Sequence, residues 1–309
     1  MNKKFLIPII ILIAFGAYSL KVILFLYCVK FERIKFEVGD MEIDDFAYWL
    51  SDIDKDEVKE SKFDLIILDY SADGSESEEF SSKEVKYMKS SGDQEKLLLS
   101  YISIGEAEDY RFYYEGSWEE GDPDWLDKEN PDWEGNYKVK YWEEEWQEII
   151  YEYLDLIMDA KFDGIYMDII DAYDYYEDDE PDAEQLMVDF VGDISDYVKD
   201  EEGDDFLVFV QNADDLLSDS EYLDYIDGIG REDLFYDDDE KTDEEWRDEG
   251  IDNLNEALDE DKVVLIIDYP ISENKKYDFY KNCVDNGYLG YAAERDLNRL
   301  NNYYLYPAT

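Results

Sequence analysis

Seven short apolar runs in this chain each end in polar residues that could take part in chemistry, and most of the segments between them have the length of a helix. Apolar runs that alternate with helices are typical of parallel strands buried on both faces. In a closed (β/α)8 TIM barrel the C-terminal ends of such strands meet at one rim, where active sites lie. The sequence therefore predicts this α/β fold. The polar residues at the ends of the runs are Asp69, Glu106, Asp168, Gln211, Asn212, Arg231, Glu232, Asp268 and Glu294.

The segment 43–309 has a suitable size for one barrel domain, because its roughly 265 residues are close to the ~250 that are typical. We expect the eighth strand at Tyr137–Tyr141, where Lys138 and Lys140 alternate with apolar residues. Phe46–Leu50 is expected to be a short strand or helix that packs under the barrel. Residues 30–42 are expected to be a linker.

The first 29 residues predict a signal peptide or a signal anchor. Lys3 and Lys4 precede an apolar stretch from Phe5 to Leu20, and a second stretch continues to Val29. A positive start followed by an apolar region is typical of an export signal, and the uncut segment is long enough to span a bilayer. A buried core helix is the alternative. We expect an extracellular domain, secreted or anchored to the outer face of the cell membrane, with membrane contact only through this segment.

The charge of the chain is extreme, with 85 acidic against 28 basic residues and a net charge of −57. Disorder is not indicated, because aromatic residues make up 17% of the chain and the apolar runs are well formed. Such a surface repels itself in dilute buffer, and molar salt relieves this by shortening the Debye length to about 3 Å. The composition therefore predicts a halophilic protein. It argues against nucleic acid as a partner, since nucleic acid requires a basic surface.

Several classes of chemistry are excluded by composition. The chain contains no histidine, so Ser-His-Asp and Cys-His mechanisms and His-ligated metals are ruled out. Cys28 lies in the N-terminal apolar stretch, which leaves Cys283 unpaired in the domain. The acidic run Asp237–Glu240 is interpreted as solvated surface rather than a cation site. We expect no cofactor, no metal and a monomeric domain.

Two strand-end carboxylates, Asp168 and Glu232, are the candidate catalytic residues. A salt-bridged or loop-capping role is the alternative for Asp168, and an ion pair with Arg231 is the alternative for Glu232. Two carboxylates that converge from separate strands are what the cleavage of a glycosidic bond requires. One attacks or stabilises the sugar cation, and the other protonates the leaving oxygen.

A wider set of polar and aromatic residues could bind a sugar polymer. Carboxylates and amides near strand ends suit hydrogen bonds to hydroxyl or amino groups, and aromatic rings suit stacking on sugar rings. With 29 tyrosines in the chain, most must serve the core or the surface. The candidate substrate-binding residues are Asp69, Tyr70, Tyr101, Glu106, Trp142, Asp171, Tyr173, Gln211, Asn212, Asp268, Tyr269 and Tyr291.

Across roughly residues 43–306 the chain resembles the endo-α-1,4-polygalactosaminidases of glycoside hydrolase family 114. The segments that carry the resemblance are Tyr101–Arg111, Pro123–Leu126, Glu129–Trp133, Gly135–Val139, Tyr141–Trp142, Phe162–Tyr173, Arg231–Tyr236 and Ile267–Tyr269. The resemblance implies a (β/α)8 barrel that cleaves α-1,4-linked galactosamine polymers within the chain. The family's two catalytic carboxylates fall on Asp168 and Glu232. By analogy with related α-glycosidases, Asp168 is the nucleophile of a retaining mechanism and Glu232 the general acid/base.

Two other functions remain open at this point. A barrel can keep its groove and lose its chemistry, which would give a surface module that binds polysaccharide without cleaving it. The protein could also hydrolyse another sugar, such as a neutral or acetylated polymer. An acidic rim suits a cationic amino-sugar polymer, but adaptation to salt explains the same charge.

Overall fold

Eight parallel strands form the central sheet, and seven of them are the apolar runs recognised in the sequence. The computed structural model describes residues 34–39, 41–91, 94–270 and 272–301. The two edges of the sheet are neighbours, since the rings of Phe46 and Tyr291 lie 5.8 Å apart. This arrangement confirms the predicted TIM barrel. In sheet order the strands are β3 (Phe46–Trp49), β4 (Leu65–Leu68), β7 (Leu97–Ser103), β11 (Gly164–Asp168), β12 (Leu207–Gln211), β13 (Gly228–Glu232), β16 (Val263–Asp268) and β17 (Leu289–Ala292).

The eighth barrel strand is β3, and the expectation for Tyr137–Tyr141 was wrong. All four residues of β3 are buried, as expected for a barrel strand that is covered on both faces, and β3 pairs in parallel with β4. The segment Asn136–Val139 (β10) instead pairs antiparallel with two short strands outside the barrel. Its residues up to Lys138 are only half-buried, because one face lies towards solvent. The two partners of β10 are β8 (Glu106–Glu108) and β9 (Leu126–Glu129).

Helices connect most of the barrel strands. In the long helix that directly precedes β11, buried apolar residues recur every three or four positions, so that one face of the helix packs on the sheet. That helix ends at Lys161, which adopts a left-handed conformation. The helices are α1 (Lys55–Glu60), α2 (Ser82–Lys89), α3 (Glu144–Ala160), α4 (Ala172–Tyr176), α5 (Ala183–Glu202), α6 (Ser220–Tyr225), α7 (Glu244–Asp259) and α8 (Glu273–Asn286), with 3-10 turns at Glu76–Glu78 and Asp214–Ser218.

Part of the segment expected to be a linker is folded. Residues 36–38 (β1) pair antiparallel with residues 41–43 (β2), and Val38 and Ile43 are buried. The predicted signal segment, with Cys28, lies outside the described residues. Within the described ranges, no helix combines the length and the apolar composition needed to cross a bilayer. Cys283 is a free thiol buried in the core. The remaining short strands are β5 (Ser90–Ser91), β6 (Gln94–Glu95), β14 (Tyr236–Asp237) and β15 (Glu240–Lys241).

Candidate active site

A cavity of about 530 Å³ lies at the C-terminal ends of the barrel strands. Since C-terminal strand ends form the active-site face of TIM barrels, this cavity is where the fold would place a reaction. Both candidate catalytic carboxylates and seven of the candidate substrate-binding residues line it. These residues are Asp69, Tyr101, Glu106, Asp168, Asp171, Gln211, Asn212, Glu232 and Tyr269.

The structure places the other five candidates elsewhere. Asp268 is fully buried and accepts hydrogen bonds of 2.9–3.0 Å from the backbone amides of three successive residues, 234–236. Its carboxylate therefore holds a loop rather than a substrate. Tyr291 packs in the barrel core, and the buried ring of Tyr70 packs 4.9 Å from that of Tyr153. Trp142 packs on a neighbouring ring, and Tyr173 lines a second cavity beside the first.

Asp168 is the last residue of β11, and two donors hold its carboxylate. The hydroxyl of Tyr101 donates to Oδ2 at 2.7 Å, and the backbone amide of Ile169 donates to Oδ1 at 2.8 Å. Burial, together with the nearby charge of Glu232, raises the pKa of Asp168 to about 8, although the hydrogen bonds from the two donors act in the opposite direction. Asp168 is thus a fixed carboxylate that can bind a proton near neutral pH.

Glu232 is the last residue of β13 and is held in a similar way. Gln211 donates from Nε2 to Oε2 at 2.7 Å, and the hydroxyl of Tyr269 donates to Oε1. Burial raises the pKa of Glu232 to about 7, against the lowering effects of the Tyr269 hydrogen bond and the charge of Arg295. Two coupled carboxyls with raised pKa values can share one proton, which is the state that acid–nucleophile catalysis needs.

Space below the two carboxylates is filled by an aromatic side chain. A Cβ at Gly230 would lie only 1.7 Å from the hydroxyl oxygen of Tyr166, so a larger residue at position 230 would displace that ring. The ring of Tyr48, which lines the cavity, lies 5.4 Å from the ring of Tyr166. The floor of the cavity is therefore built from tightly packed tyrosines.

The backbone turns sharply after three adjacent strands of the site. Ile169, Asn212 and Asp233 directly follow Asp168, Gln211 and Glu232, and each has a left-handed φ, of 60°, 58° and 55°. This conformation is uncommon for residues other than glycine, and it is a true outlier for a β-branched side chain such as Ile169. Strained backbone of this kind is concentrated at functional sites. These turns were not recognisable from the sequence.

An arginine that sequence reasoning missed stands behind Tyr101. Arg111 is 4% exposed, and it forms ion pairs with Asp69 (Nη1 to Oδ2, 2.7 Å) and Glu108 (Nε to Oε2, 2.6 Å). Its guanidinium carbon lies 5.9 Å from the centre of the Tyr101 ring. We call Arg111, Asp69 and Glu108 the buried clamp. It fixes the wall of the cavity beside the tyrosine that orients Asp168.

A second missed arginine stands behind Tyr269. The guanidinium of Arg295 lies over the Tyr269 ring, 4.4 Å from its centre, and the side chain is 40% exposed. It pairs with three carboxylates at distances of 2.5–3.0 Å. We call Arg295 with Asp233, Asp237 and Asp238 the exposed clamp. It lies beside the tyrosine that orients Glu232.

One carboxylate triad among the described residues has the geometry for a cation, but it lies at the other end of the barrel. Ligand oxygens of Asp44, Asp45 and Asp64 come within 4.8 Å of one another. Asp45 and Asp64 immediately precede β3 and β4, and their carboxylates accept backbone amide protons across the two strand starts. This triad therefore ties two strands together, away from the cavity.

Comparison with known proteins decides the family. The model of glycoside-hydrolase family GH114 matches residues 35–308. The chain belongs to glycoside hydrolase family 114. Among relatives, an uncharacterized protein of Methanocaldococcus jannaschii is 40% identical over 275 residues, covering 84% of this chain and 79% of the relative. An uncharacterized protein of Thermotoga maritima is 36% identical over 270 residues, covering 83% and 82%. The resemblance inferred from the motifs is thereby confirmed.

Solved structures support the same fold for this family 114 member. The glycoside hydrolase domain of PelA from Pseudomonas aeruginosa matches with a TM-score of 0.64 at 13% identity, over 84% of this chain and 97% of that domain. Ega3 of Aspergillus fumigatus, solved in complex with galactosamine, matches with a TM-score of 0.62 at 13% identity, over 87% and 95%. Family membership and the carboxylate pair at the rim together identify a glycoside hydrolase.

Proposed function

We propose that this family 114 protein cleaves α-1,4-linked galactosamine-type polysaccharide within the chain, by a retaining mechanism. The observation that supports this most is the pair of strand-end carboxylates, Asp168 and Glu232. They line one cavity, and each is oriented by its own tyrosine. Two carboxyl groups across a glycosidic bond are the requirement of this reaction. The galactosamine bound by the fold relative Ega3 supports the choice of sugar.

In the proposed reaction Asp168 attacks the anomeric carbon while Glu232 gives its proton to the leaving glycosidic oxygen. The carbon–oxygen bond breaks, and a covalent bond between the sugar and Asp168 forms. Glu232, now ionised, then takes a proton from water, whose oxygen displaces Asp168 and completes hydrolysis with overall retention. Tyr101 and Tyr269 keep the two carboxylates in position through both steps.

The positive charge of the substrate would determine which of the two carboxyls holds the shared proton. The pKa of Asp168 is raised further than that of Glu232, so a shared proton favours Asp168. A cation near a carboxylate lowers its pKa. The ammonium group at C2 of galactosamine stands next to the anomeric carbon that Asp168 attacks, so its binding would ionise Asp168 and leave the proton on Glu232. A cationic sugar therefore suits the proposed roles better than a neutral one.

The experiment is reducing-end release from partly deacetylated α-1,4-galactosamine polymer in molar salt. Asp168→Asn should abolish release, and Glu232→Gln should lower it about 10²–10⁴-fold. Asp196→Asn, an exposed helix position away from the cavity, is the matched control and should match wild type. Proton NMR of the first product should show the α-anomer. Release by folded Asp168→Asn at the wild-type rate would rule out Asp168 as nucleophile.

Failure of the folded wild type to release sugar would point to one of two other functions. Binding of the polymer without turnover would indicate a non-catalytic surface module. Turnover of a neutral or acetylated polymer in the same assay would indicate a hydrolase for another sugar. The distinction rests on the substrate panel, because most retaining glycosidases share such a carboxylate pair whatever their sugar.

We also propose that the protein is exported and acts in high salt, as the N-terminal segment and the net charge of −57 support. Protease added to intact cells should then degrade the domain while leaving cytoplasmic proteins whole. The folded state should gain stability as salt is raised from dilute to molar concentration. Protection from protease in intact cells would contradict export, and equal stability at both salt concentrations would contradict adaptation to salt.

A further inference from the structure

A second cavity of about 350 Å³ adjoins the first. The two share Asp171 and Asn212 in their walls, so they are neighbours along the rim. The second cavity is enclosed by the 3-10 turn Asp214–Ser218, the start of α7 and Tyr173 of α4. Arg231 lines the second cavity, whereas its chain neighbour Glu232 lines the first.

The wall of the second cavity carries a half-exposed tryptophan. Trp246 lies in the first turn of α7 and is 41% exposed. The guanidinium of Arg231 stacks on its ring, with 4.3 Å between the guanidinium carbon and the ring centre. A cation over an aromatic face stabilises the orientation of the ring. Trp246 is therefore fixed in place before any ligand arrives, which lowers the entropic cost of stacking on it.

Arg231 connects this ring to the catalytic pair. Its Nε lies 2.7 Å from Oδ1 of Asp214 in an ion pair, and its Nη1 donates to Oδ1 of Asn212 at 3.2 Å. Arg231 is the chain neighbour of Glu232, whose carbonyl oxygen also accepts from Nη1 at 3.3 Å. The position of Trp246 is thereby set relative to the strand end that would protonate the leaving sugar.

We propose that the second cavity is a subsite for a further amino-sugar ring of the same polymer, with Trp246 as its stacking surface. This inference rests on the proposed function, since it extends the cleft past the bond that is cut. Among the residues that line the cavity, Arg231 is the one cation, and Asp214 already neutralises it. The other charged groups there are carboxylates, which suit an ammonium group and would repel an acidic sugar.

Salt explains why an aromatic surface is needed in this subsite. In molar salt charge attraction reaches only about 3 Å, so the carboxylates cannot draw a cationic polymer from a distance. Stacking of an apolar sugar face on a ring is not screened by salt. Trp246 would supply affinity, and direct contact with Asp171 or Asp215 would supply the preference for an amino group.

The subsite can be tested by comparing the cleavage of a long and a short oligomer. We expect Trp246→Ala to lower kcat/KM for an α-1,4-galactosamine hexamer about tenfold and to leave the trimer within about twofold, while Trp246→Phe keeps most activity. Tyr277→Ala removes a side chain that is 50% exposed and lines neither cavity, so it is the matched control. An unchanged hexamer, or an equal loss with hexamer and trimer, would overturn the subsite while leaving the proposed function standing.

A binding measurement keeps the subsite testable without turnover. The hexamer is titrated calorimetrically into Asp168→Asn and into Asp168→Asn with Trp246→Ala. We expect the affinity to fall about tenfold when the ring is removed. Equal affinity, or no hexamer binding to Asp168→Asn, would overturn the subsite whether or not the wild type cleaves the polymer. Absence of cleavage together with this tenfold difference would reject the proposed function and retain the binding site.

Discussion

The buried clamp and the exposed clamp stand behind the two catalytic candidates, and they differ in how their arginines are held. Arg111 has 1% of its side chain exposed, and its two carboxylate partners have 3% exposed. Arg295 has 40% of its side chain exposed, with partners that are 26–68% exposed. Each guanidinium lies against a tyrosine that orients one catalytic candidate, Tyr101 for Asp168 and Tyr269 for Glu232.

The comparison shows that an arginine paired with carboxylates beside a tyrosine can have two different effects, one on stability and one on the electrostatics of the site. A buried charge is costly when it loses its partner, so the buried clamp should contribute strongly to the stability of the barrel. An exposed ion pair contributes little to stability and is weakened by salt. The exposed clamp can therefore change without cost to the fold, and its influence falls on the electrostatics of Glu232. We infer that the Asp168 side of the site is rigid and the Glu232 side adjustable.

The largest effect should come from removing the buried arginine. Arg111→Met leaves Asp69 and Glu108 buried without a counter-charge, so we expect the free energy of unfolding to fall by about 3–5 kcal/mol. Denaturant unfolding at constant salt measures this. Arg111→Lys keeps the charge but loses the planar fork, so its loss should be smaller. A loss below about 1 kcal/mol for Arg111→Met would remove the distinction between the two clamps.

The second effect concerns the pH dependence of the coupled pair. The proposed reaction needs one proton on the two carboxyls of Glu232 and Asp168, whose pKa values are raised to about 7 and about 8. We expect kcat/KM to be highest between about pH 7 and 8, to fall below it as both carboxyls become protonated, and to fall above it as both ionise. A stopped assay across about pH 5–10 measures kcat/KM as a function of pH. A plateau that extends to about pH 5 would contradict the raised pKa values.

The smallest effect should come from the exposed arginine. Arg295→Gln removes a charge that lowers the pKa of Glu232, so the acid limb of the rate profile should move to higher pH by less than about one unit. The free energy of unfolding should change by less than about 1 kcal/mol. Arg247→Gln, which removes an arginine paired with Asp248 and lining neither cavity, is the control. An unfolding loss as large as that of Arg111→Met would make the clamps equivalent.

Most of the barrel was predictable because its strands are buried on both faces, which leaves uninterrupted apolar runs in the sequence. The eighth strand was not. Phe46–Trp49 has only four residues, too few to distinguish a strand from a helix by sequence, and the alternation around Lys138 favours the wrong segment. Alternation indicates a strand with one solvent face, and that is what β10 is, outside the barrel.

The site was predictable only as far as strand ends could reveal it. Asp268 and Asp168 look alike in sequence, since each ends an apolar run. The three amides that engage Asp268 come from residues 32–34 positions away, so no local pattern distinguishes the two carboxylates. Arg111 and Arg295 were missed for the same reason, because they reach Asp69 and Asp233 across 42 and 62 residues.

The left-handed turn after Asp168 has a consequence for the improvement of this protein by selection. Ile169 holds a conformation that costs a β-branched residue on the order of 1–2 kcal/mol, and glycine would adopt it freely. The amide of the same residue orients the Asp168 carboxylate. Selection for heat resistance alone would favour glycine at position 169, and the added backbone freedom would loosen the Asp168 carboxylate. Thermal stability and the rate of the proposed reaction therefore place opposite demands on the peptide unit between Asp168 and Ile169.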